Sequence, residues 1–173
     1  GRRAMIRKKV VLLGEIGVGK TSLIRRFVLD RFETSYKGTI GFNIYTSSVL
    51  GIGHDGKTNL ELLIWDTDGD EAARLLQRTP VVQGTSGVLI VADLSRPRTI
   101  QTMLSLARAC DMHIPGRHIH LLLNKADLVG DSAPPPAELA DVVHPVLVTS
   151  AKTGEKVRDA FRDVADAILR RGL

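Results

Sequence analysis

Short apolar runs along the chain alternate with longer stretches in which apolar residues recur every three or four positions. The short runs have the length of buried β-strands, and the longer stretches have the period of amphipathic helices. Runs of the first kind occupy residues 6–13, 87–93, 118–123 and 146–149. Because strands and helices alternate, the pattern predicts repeated βα units around a mostly parallel sheet.

Two further segments, 42–50 and 59–66, alternate apolar and polar residues as half-buried strands do. Between them lies GIGHDGK, in which Asp55 and Gly56 are typical of a hairpin turn. The pattern therefore predicts one antiparallel pair within the sheet and six strands in total.

About five helices are predicted from the longer stretches. One begins at Thr21, where Leu23, Ile24 and Phe27 share a face. The others are 71–78, a helix between Pro97 and Pro115, and one from about Glu155 to Arg171. The three consecutive prolines at 134–136 restrict the remaining helix to a short one that starts no earlier than Pro136.

The length and composition of the chain are those of one globular domain. Its 173 residues can bury a sizeable core. No apolar run approaches the roughly 20 residues that a membrane-spanning helix needs. Cys110 is the single cysteine, which excludes an internal disulfide. We therefore expect a cytoplasmic protein in which Cys110 packs in a helix.

The net charge of +5 originates at the start of the chain. Five of the 24 basic residues are Arg2, Arg3, Arg7, Lys8 and Lys9, and the rest of the chain carries 19 basic and 19 acidic residues. We expect a basic tail over 1–9, a domain over 6–171 and no nucleic-acid partner. Met5 would be the natural start, with 1–4 left from an expression vector.

The end of the sequence, ILRRGL, has no CaaX cysteine, so no stable membrane anchor is expected. Any peripheral attachment to a membrane would come through partners or through the basic tail.

GEIGVGKT, residues 14–21, matches the phosphate-binding pattern GxxxxGK followed by Ser or Thr, between a predicted strand and a predicted helix. Its glycines let backbone N–H groups point at phosphate oxygens, Lys20 neutralises the phosphates, and Thr21 can bind Mg²⁺. The motif predicts a nucleoside triphosphate site. With the strand pattern it predicts an α/β P-loop NTPase fold in three α/β/α layers.

NKAD, residues 124–127, follows a predicted strand and so lies at the edge of the sheet where ligands bind. A carboxylate at Asp127 can accept hydrogen bonds from the N1–H and the exocyclic amine of guanine, a pair of donors that adenine lacks. TSAK, residues 149–152, also follows a strand, and its Ala151 N–H would meet the guanine oxygen. Asn124 would tie the loops together, and the Lys125 stem would cover the base. These residues predict GTP rather than ATP.

Five spaced motifs resemble those of the Ras superfamily of small GTPases, over nearly the whole chain from Ile6 to Leu169. YKGTIG, residues 36–41, resembles the first switch, and WDTDGDE, residues 65–71, resembles the WDTAGQE of the Rab-like second switch. The resemblance implies that Thr39 binds Mg²⁺ and senses the γ-phosphate. It further implies that Asp66 holds Mg²⁺ through water and that the Gly69 N–H touches the γ-phosphate.

The resemblance also implies the full set of site residues. Those implied to bind nucleotide are Glu15, Ile16, Gly17, Val18, Gly19, Lys20, Thr21, Ser22, Phe32, Tyr36, Asn124, Lys125, Asp127, Leu128, Ser150, Ala151 and Lys152. The implied Mg²⁺ ligands are Thr21, Thr39 and, through water, Asp66. The implied catalytic residues are Lys20, Thr39, Gly69 and Asp70.

A calcium loop is an alternative for DTDGDE, because its carboxylates alternate as in the start of an EF-hand. That loop needs glycine at its sixth position and glutamate at its twelfth. Counted from Asp66, these positions hold Glu71 and Gln77, and the segment follows a strand rather than a helix. Calcium is excluded on these grounds.

Three departures from the family concern catalysis and partners. Asp70 stands where active members carry the glutamine that orients the attacking water, and a carboxylate there also repels the γ-phosphate. Asp70 can instead cap the helix 71–78, and both roles can hold. Ile16 replaces a phosphate-loop glycine and would obstruct the water, although variation at an x position is a near-equal explanation. Val81 and Val82 replace the usual tyrosine pair, so the family's known partners do not transfer.

The sequence predicts a switch that binds Mg-GTP and Mg-GDP, hydrolyses GTP slowly, and contacts effectors, an exchange factor and an activating protein through 32–41 and 66–82. It would be a monomer or a nucleotide-dependent dimer. The alternative is a non-hydrolysing pseudo-GTPase that acts as an interaction or scaffold module. An ATP-using kinase of P-loop type is disfavoured by NKAD and TSAK.

Overall fold

The computed structural model describes residues 5–29, 35–37, 42–67, 74, 76–77 and 82–173, with 35–37 and 42 described by their backbone. Several predicted roles fall outside this description. They are those of Phe32, Thr39, Gly69, Asp70 and Val81 and of most of the helix predicted at 71–78. The predicted role of the Tyr36 side chain is likewise outside it.

A seven-stranded sheet forms the centre of the molecule. Its strands are β1 (Ile6–Leu13), β2 (Ser35–Lys37), β3 (Phe42–Gly53), β4 (Gly56–Thr67), β5 (Thr85–Asp93), β6 (His118–Asn124) and β7 (Val146–Val148). Their order across the sheet is β2-β3-β4-β1-β5-β6-β7. The neighbours from β4 to β7 are all parallel, and β3 is antiparallel to both β2 and β4. The predicted mostly parallel α/β P-loop fold is confirmed.

All six predicted strands are present, and β2 is an addition. The three residues of β2, SYK, carry no apolar run that the hydrophobic pattern could have detected. The predicted hairpin is also longer than expected, because the ladder between β3 and β4 continues to Gly53 and Gly56. Its turn is His54 and Asp55 alone, and Gly56 takes a φ of +99° at the start of β4.

Helices cover both faces of the sheet. The described α-helices are α1 (Lys20–Leu29), α2 (Pro97–His113) and α3 (Val157–Arg171). On one face α1 and α3 pack together, and the rings of Phe27 and Phe161 stack with centroids 4.2 Å apart. On the other face α2 buries Met103 and Cys110 against β5 and β6. These are the predicted three layers. Burial raises the pKa of the Cys110 thiol to about 12, so this cysteine is a packing residue, as predicted.

Two helix boundaries follow local backbone constraints. Lys156 has a φ of 59°, a left-handed conformation, so α3 begins at Val157, close to the predicted Glu155. After the three prolines only a single 3₁₀ turn forms, at Ala137–Leu139, which agrees with a short helix that starts no earlier than Pro136. A second 3₁₀ turn, Ala126–Leu128, lies within the NKAD loop. None of the described helices combines the length and the apolarity needed to cross a bilayer.

The predicted basic tail overlaps β1 at residues 6–9, and the structure places these four residues in the strand. Arg7 forms an ion pair with Glu61 on β4, with 3.2 Å between Nε and Oε1. Lys9 is buried, and its Nζ lies 3.7 Å from the ring centroid of Trp65 and donates to the carbonyl of Gln83 at 3.0 Å. Loss of solvent lowers the pKa of Lys9 to about 8.

The buried lysine predicts a rise in stability with pH relative to a chain that lacks it. Between a folded pKa of about 8 and the ordinary 10.5, the unfolded chain binds more protons at Lys9 than the folded chain. We expect the free energy of unfolding of the wild type to increase relative to Lys9→Met as pH rises from about 7.5 to about 10. Urea unfolding at several pH values measures this difference. Lys57→Met, at an exposed site, is the control, and a difference independent of pH would contradict the expectation.

Candidate functional site

The loops that follow β1, β6 and β7 meet at one edge of the sheet. These strands are parallel and run in the same direction, so their carboxyl ends lie side by side. This is the edge where open α/β sheets bind ligands. The three predicted nucleotide motifs, at 14–21, 124–127 and 149–152, therefore come together in space.

The phosphate loop, residues 14–21, curls tightly between β1 and α1. Gly14 has a φ of +150°, and a Cβ there would lie 2.5 Å from the carbonyl oxygen of Val91. Gly19 has a φ of +102°, and a Cβ there would collide with the amide nitrogen of Asn124. Glycine is thus required at both positions by backbone conformation and by close packing.

Lys20 lies at the start of α1 with its side chain folded back over the phosphate loop. Its Nζ donates to the carbonyls of Gly14 at 2.8 Å and Glu15 at 3.2 Å, and the residue is buried. An ammonium at the amino end of a helix, inside a curled glycine loop, is an arrangement that favours phosphate.

Thr21 and Asp66 meet beside the phosphate loop. The Thr21 hydroxyl donates to Asp66 Oδ2 at 2.5 Å, and Asp66 is buried near the end of β4. The next residue, Thr67, fixes the strand end by donating to the carbonyl of Leu12 at 2.7 Å. A hydroxyl and a carboxylate are oxygen ligands of the kind that Mg²⁺ prefers, so this pair fits the predicted ion.

Asn124, the last residue of β6, joins all three loops. Its side chain is fully buried, and its amide nitrogen donates to the carbonyl of Val18 at 2.9 Å. Its Oδ1 accepts from the hydroxyl of Thr149 at 3.0 Å and from the N–H of Ala151 at 3.2 Å. One amide therefore links the phosphate loop to the TSAK loop.

Replacement of Asn124 by alanine is expected to lower the free energy of unfolding by about 2–4 kcal/mol, because it leaves several buried polar groups without partners. Urea unfolding without added nucleotide measures the effect. Asn59→Ala removes an exposed asparagine from β4 and should change stability by no more than about 0.5 kcal/mol. An equally small effect at Asn124 would show that the amide does not hold the loops.

Asp127 and Ser150 are paired on the opposite side of the site. The buried Ser150 hydroxyl donates to Asp127 Oδ1 at 2.7 Å and accepts from the Thr153 N–H at 3.1 Å. The Ala126 N–H donates to the carbonyl of Thr149 at 3.1 Å and joins the two loops. The bond from Ser150 thereby holds the carboxylate of Asp127 by one oxygen, beside the cavity that this residue lines.

Two adjoining cavities occupy this edge. A cavity of about 350 Å³ is lined by Ile16, Gly17, Gly19, Lys20, Thr21, Ser22, Asp66, Thr67 and Lys125. A second of about 420 Å³ is lined by Gly19, Ser22, Asn124, Lys125, Asp127, Leu128, Ala151 and Lys152. Gly19, Ser22 and Lys125 line both. The first cavity, beside the phosphate loop, is called the phosphate cavity, and the two cavities meet at the stem of Lys125.

Three of the residues predicted to bind nucleotide do not line these cavities. Val18 is buried in the core, and its carbonyl serves Asn124. Ser150 is buried behind Asp127. Glu15 is directed away, with its Oε1 3.1 Å from the Nη2 of Arg98. The other fully described residues that were predicted to bind nucleotide all line one or both cavities.

The sequence patterns missed a buried carboxylate, Asp93, which ends β5 beside the phosphate loop. Its Oδ2 lies 3.0 Å from Lys125 Nζ and 3.2 Å from Arg96 Nε. Ser95 donates to its Oδ1 from the backbone at 2.8 Å and from the hydroxyl at 2.6 Å. Burial raises the pKa of Asp93, but the hydrogen bonds of Ser95 and Lys125 outweigh it, so the pKa lies below its ordinary value. The available signal was its place at the end of a predicted buried strand, residues 87–93, the same place that Asn124 takes after the strand 118–123.

Two arginines that follow Asp93 contact the outer side of the phosphate loop. Arg96 Nη2 donates to the carbonyl of Ile16 at 2.8 Å, and Arg98 forms the ion pair with Glu15 described above. The Arg96 side chain is 44% exposed and that of Arg98 is 82% exposed. Two guanidinium groups, each paired with a carboxylate, therefore lie beside the phosphate loop.

Comparisons with known proteins agree with this arrangement. The sequence model that describes the Ras family matches residues 9–170 of this chain. The chain is 32% identical to the Ras-related protein Rab-22A of Canis lupus familiaris over 92% of this chain and 82% of the relative. It is 32% identical to Rab-32 of Homo sapiens, over 93% and 74%, and 32% identical to RABD2a of Arabidopsis thaliana, over 94% and 80%.

Proposed function

This chain belongs to the Ras superfamily of small GTPases as a Rab-like member, and we propose that it is a switch that binds Mg-GTP and Mg-GDP, hydrolyses GTP slowly and signals by binding proteins. The adjoining cavities support this proposal most directly. They offer a lysine and a glycine loop on one side and an oriented carboxylate on the other, joined by the stem of Lys125.

Guanine would be selected by Asp127. Ser150 holds the carboxylate by one oxygen, which leaves acceptor capacity for the N1–H and the amine of the base. The Ala151 N–H, now 3.2 Å from Asn124 Oδ1, would be shared with the guanine oxygen. Adenine would leave the carboxylate of Asp127 without these two donors, and that loss is the basis of discrimination.

The phosphates would occupy the other cavity. There the loop N–H groups and the amino end of α1 face the ligand, and Lys20 would exchange its bonds to Gly14 and Glu15 for phosphate oxygens. Thr21 and Asp66 would hold Mg²⁺, with Thr39 as the further ligand. Bound Mg²⁺ neutralises phosphate charge in this class of reaction.

Slow hydrolysis rests on Asp70 and Ile16. At about 5 Å and an effective dielectric near 20, a carboxylate at Asp70 repels the γ-phosphate by on the order of 3 kcal/mol before screening. Ile16 is 58% exposed where the phosphate cavity opens, so a branched apolar side chain stands where water would approach.

Protein partners would bind residues 32–41 and 66–82 with an affinity that depends on the bound nucleotide. The domain that carries the switch would span 6–171. The same substitutions at Asp70 and Ile16 support a second candidate, a non-hydrolysing module that stays in one nucleotide state and serves as a scaffold.

The nucleotide retained on the purified protein tests the proposal. We expect GDP, GTP or both after denaturation, and we expect GTP but not ATP to displace a fluorescent GDP analogue. ATP that competes as well as GTP would contradict guanine selection. A single-turnover assay then separates the two candidates, because GTP that survives unchanged for days, with and without cell extract, would leave only the non-hydrolysing module.

A further inference from the structure

Arg96, in the loop between β5 and α2, stands at the rim of the phosphate cavity. We propose that it is a catalytic residue that supplies positive charge to the transferring γ-phosphate from within the chain. This inference rests on the proposed GTPase function and adds to it a residue that no motif contains.

The first observation is the place of the guanidinium. Its Nη2 is bonded to the carbonyl of Ile16, and it lies 3.6 Å from the point that a Cβ on Gly17 would occupy. Ile16 and Gly17 both line the phosphate cavity. Arg96 does not itself line the cavity, and its guanidinium lies directly beside two residues that do.

The second observation is the way in which Arg96 is held. Its Nε is paired with Asp93, whose own position is fixed by Ser95 and Lys125. A guanidinium has five N–H donors in a planar fork, and the two bonds described here engage only two of them. The group is therefore anchored at its base by a buried carboxylate while its tip can exchange the Ile16 carbonyl for a phosphate oxygen.

The third argument is electrostatic and rests on the proposed function. In the proposed switch Asp70 adds negative charge near the γ-phosphate, and the exposed side chain of Ile16 stands beside the phosphate cavity. Arg96 belongs to the same chain, and its guanidinium already contacts the carbonyl of Ile16. Charge on the γ-phosphate oxygens is what an arginine stabilises in phosphoryl transfer, and such groups contribute about 10³–10⁵ in rate.

The step itself is attack of water on the γ-phosphate. The water oxygen forms a bond to phosphorus, and the bond from phosphorus to the β–γ bridging oxygen breaks. The electron pair of that bond leaves with GDP, and the water proton goes to the phosphate product. Arg96 transfers neither a proton nor electrons, and it acts only through hydrogen bonds and charge on the γ-phosphate oxygens.

Single-turnover hydrolysis of preloaded GTP tests the role. We expect Arg96→Ala to slow hydrolysis at least about tenfold while GDP affinity stays within about threefold of wild type. Arg96→Lys, which keeps the charge but not the fork, should fall between the two. Arg108→Ala removes an exposed arginine from α2 and is the matched control. Thermal unfolding verifies that each variant is folded.

A second readout excludes a merely structural effect. Aluminium fluoride with GDP imitates the planar γ-phosphoryl group, so wild type should bind it without a partner and Arg96→Ala should lose it. Arg98→Ala removes the other arginine on the loop, and it should retain aluminium fluoride binding. If Arg98→Ala and Arg96→Ala reduce hydrolysis and aluminium fluoride binding equally, the effect belongs to general support of the loop and the proposal is wrong.

The two levels of the hypothesis fail differently. A wild type that hydrolyses GTP at the same rate as Arg96→Ala overturns the role of Arg96 and leaves the proposed function intact. A wild type that retains guanine nucleotide but never hydrolyses GTP overturns both the slow GTPase and the role of Arg96. A wild type that binds no guanine nucleotide overturns the proposed function from its first step.

Discussion

Replacing Asp127 with asparagine is expected to lower affinity for GDP by at least about 100-fold and to favour xanthosine diphosphate instead. The carboxylate accepts from the N1–H and the amine of guanine, and its loss leaves both donors poorly matched. An amide can donate to the oxygen that xanthine carries in place of the amine. The bond from Ser150 to Asp127 Oδ1 can be retained by the amide oxygen, so the fold should be unaffected.

Displacement of a fluorescent GDP analogue by GDP and by xanthosine diphosphate measures both changes. Asp141→Asn makes the same chemical change at an exposed position and should bind GDP as the wild type does. Asp127 does not recognise the base if Asp127→Asn keeps wild-type affinity for GDP. The same conclusion follows if Asp127→Asn and Asp141→Asn bind each of the two diphosphates with equal affinity.

Replacing Asp70 with glutamine is expected to raise the rate of GTP hydrolysis at least about tenfold. The substitution removes a negative charge from the neighbourhood of the γ-phosphate. It also restores a side chain that can both donate to the attacking water and accept from it. Removal of even half of a repulsion on the order of 3 kcal/mol corresponds to about tenfold in rate.

Single-turnover assays on wild type and Asp70→Gln measure this rate, and GDP affinity is determined in parallel. Asp131→Gln makes the same change at an exposed position far along the chain and should leave the rate unchanged. The double variant Asp70→Gln, Ile16→Gly shows whether the two residues act independently. If they do, the factors by which each single substitution changes the hydrolysis rate multiply in the double variant. An unchanged rate in Asp70→Gln would mean that Asp70 only caps the following helix.

The sequence alone determined the α/β alternation, the one antiparallel hairpin and the chain positions of the nucleotide motifs. It could do so because each of these depends on residues that are close together in the chain. Apolar runs at 6–13 and 118–123 are strands for reasons of local periodicity. The glycines of the phosphate loop mark positions with a positive φ, which glycine adopts far more readily than other residues. The boundaries were less exact, since the left-handed Lys156 and the extended hairpin ladder have no apolar signature.

Tertiary structure alone decided which distant side chains meet. Arg96 contacts Ile16 across 80 positions of the chain, and the register that sets Asp93 beside Asn124 brings the anchor of Arg96 to the site. Lys9 was read as part of a charged tail, yet it is buried against Trp65 because β1 is the central strand between β4 and β5. Such contacts depend on strand order and register, which are set by burial of the whole sheet rather than by any one segment.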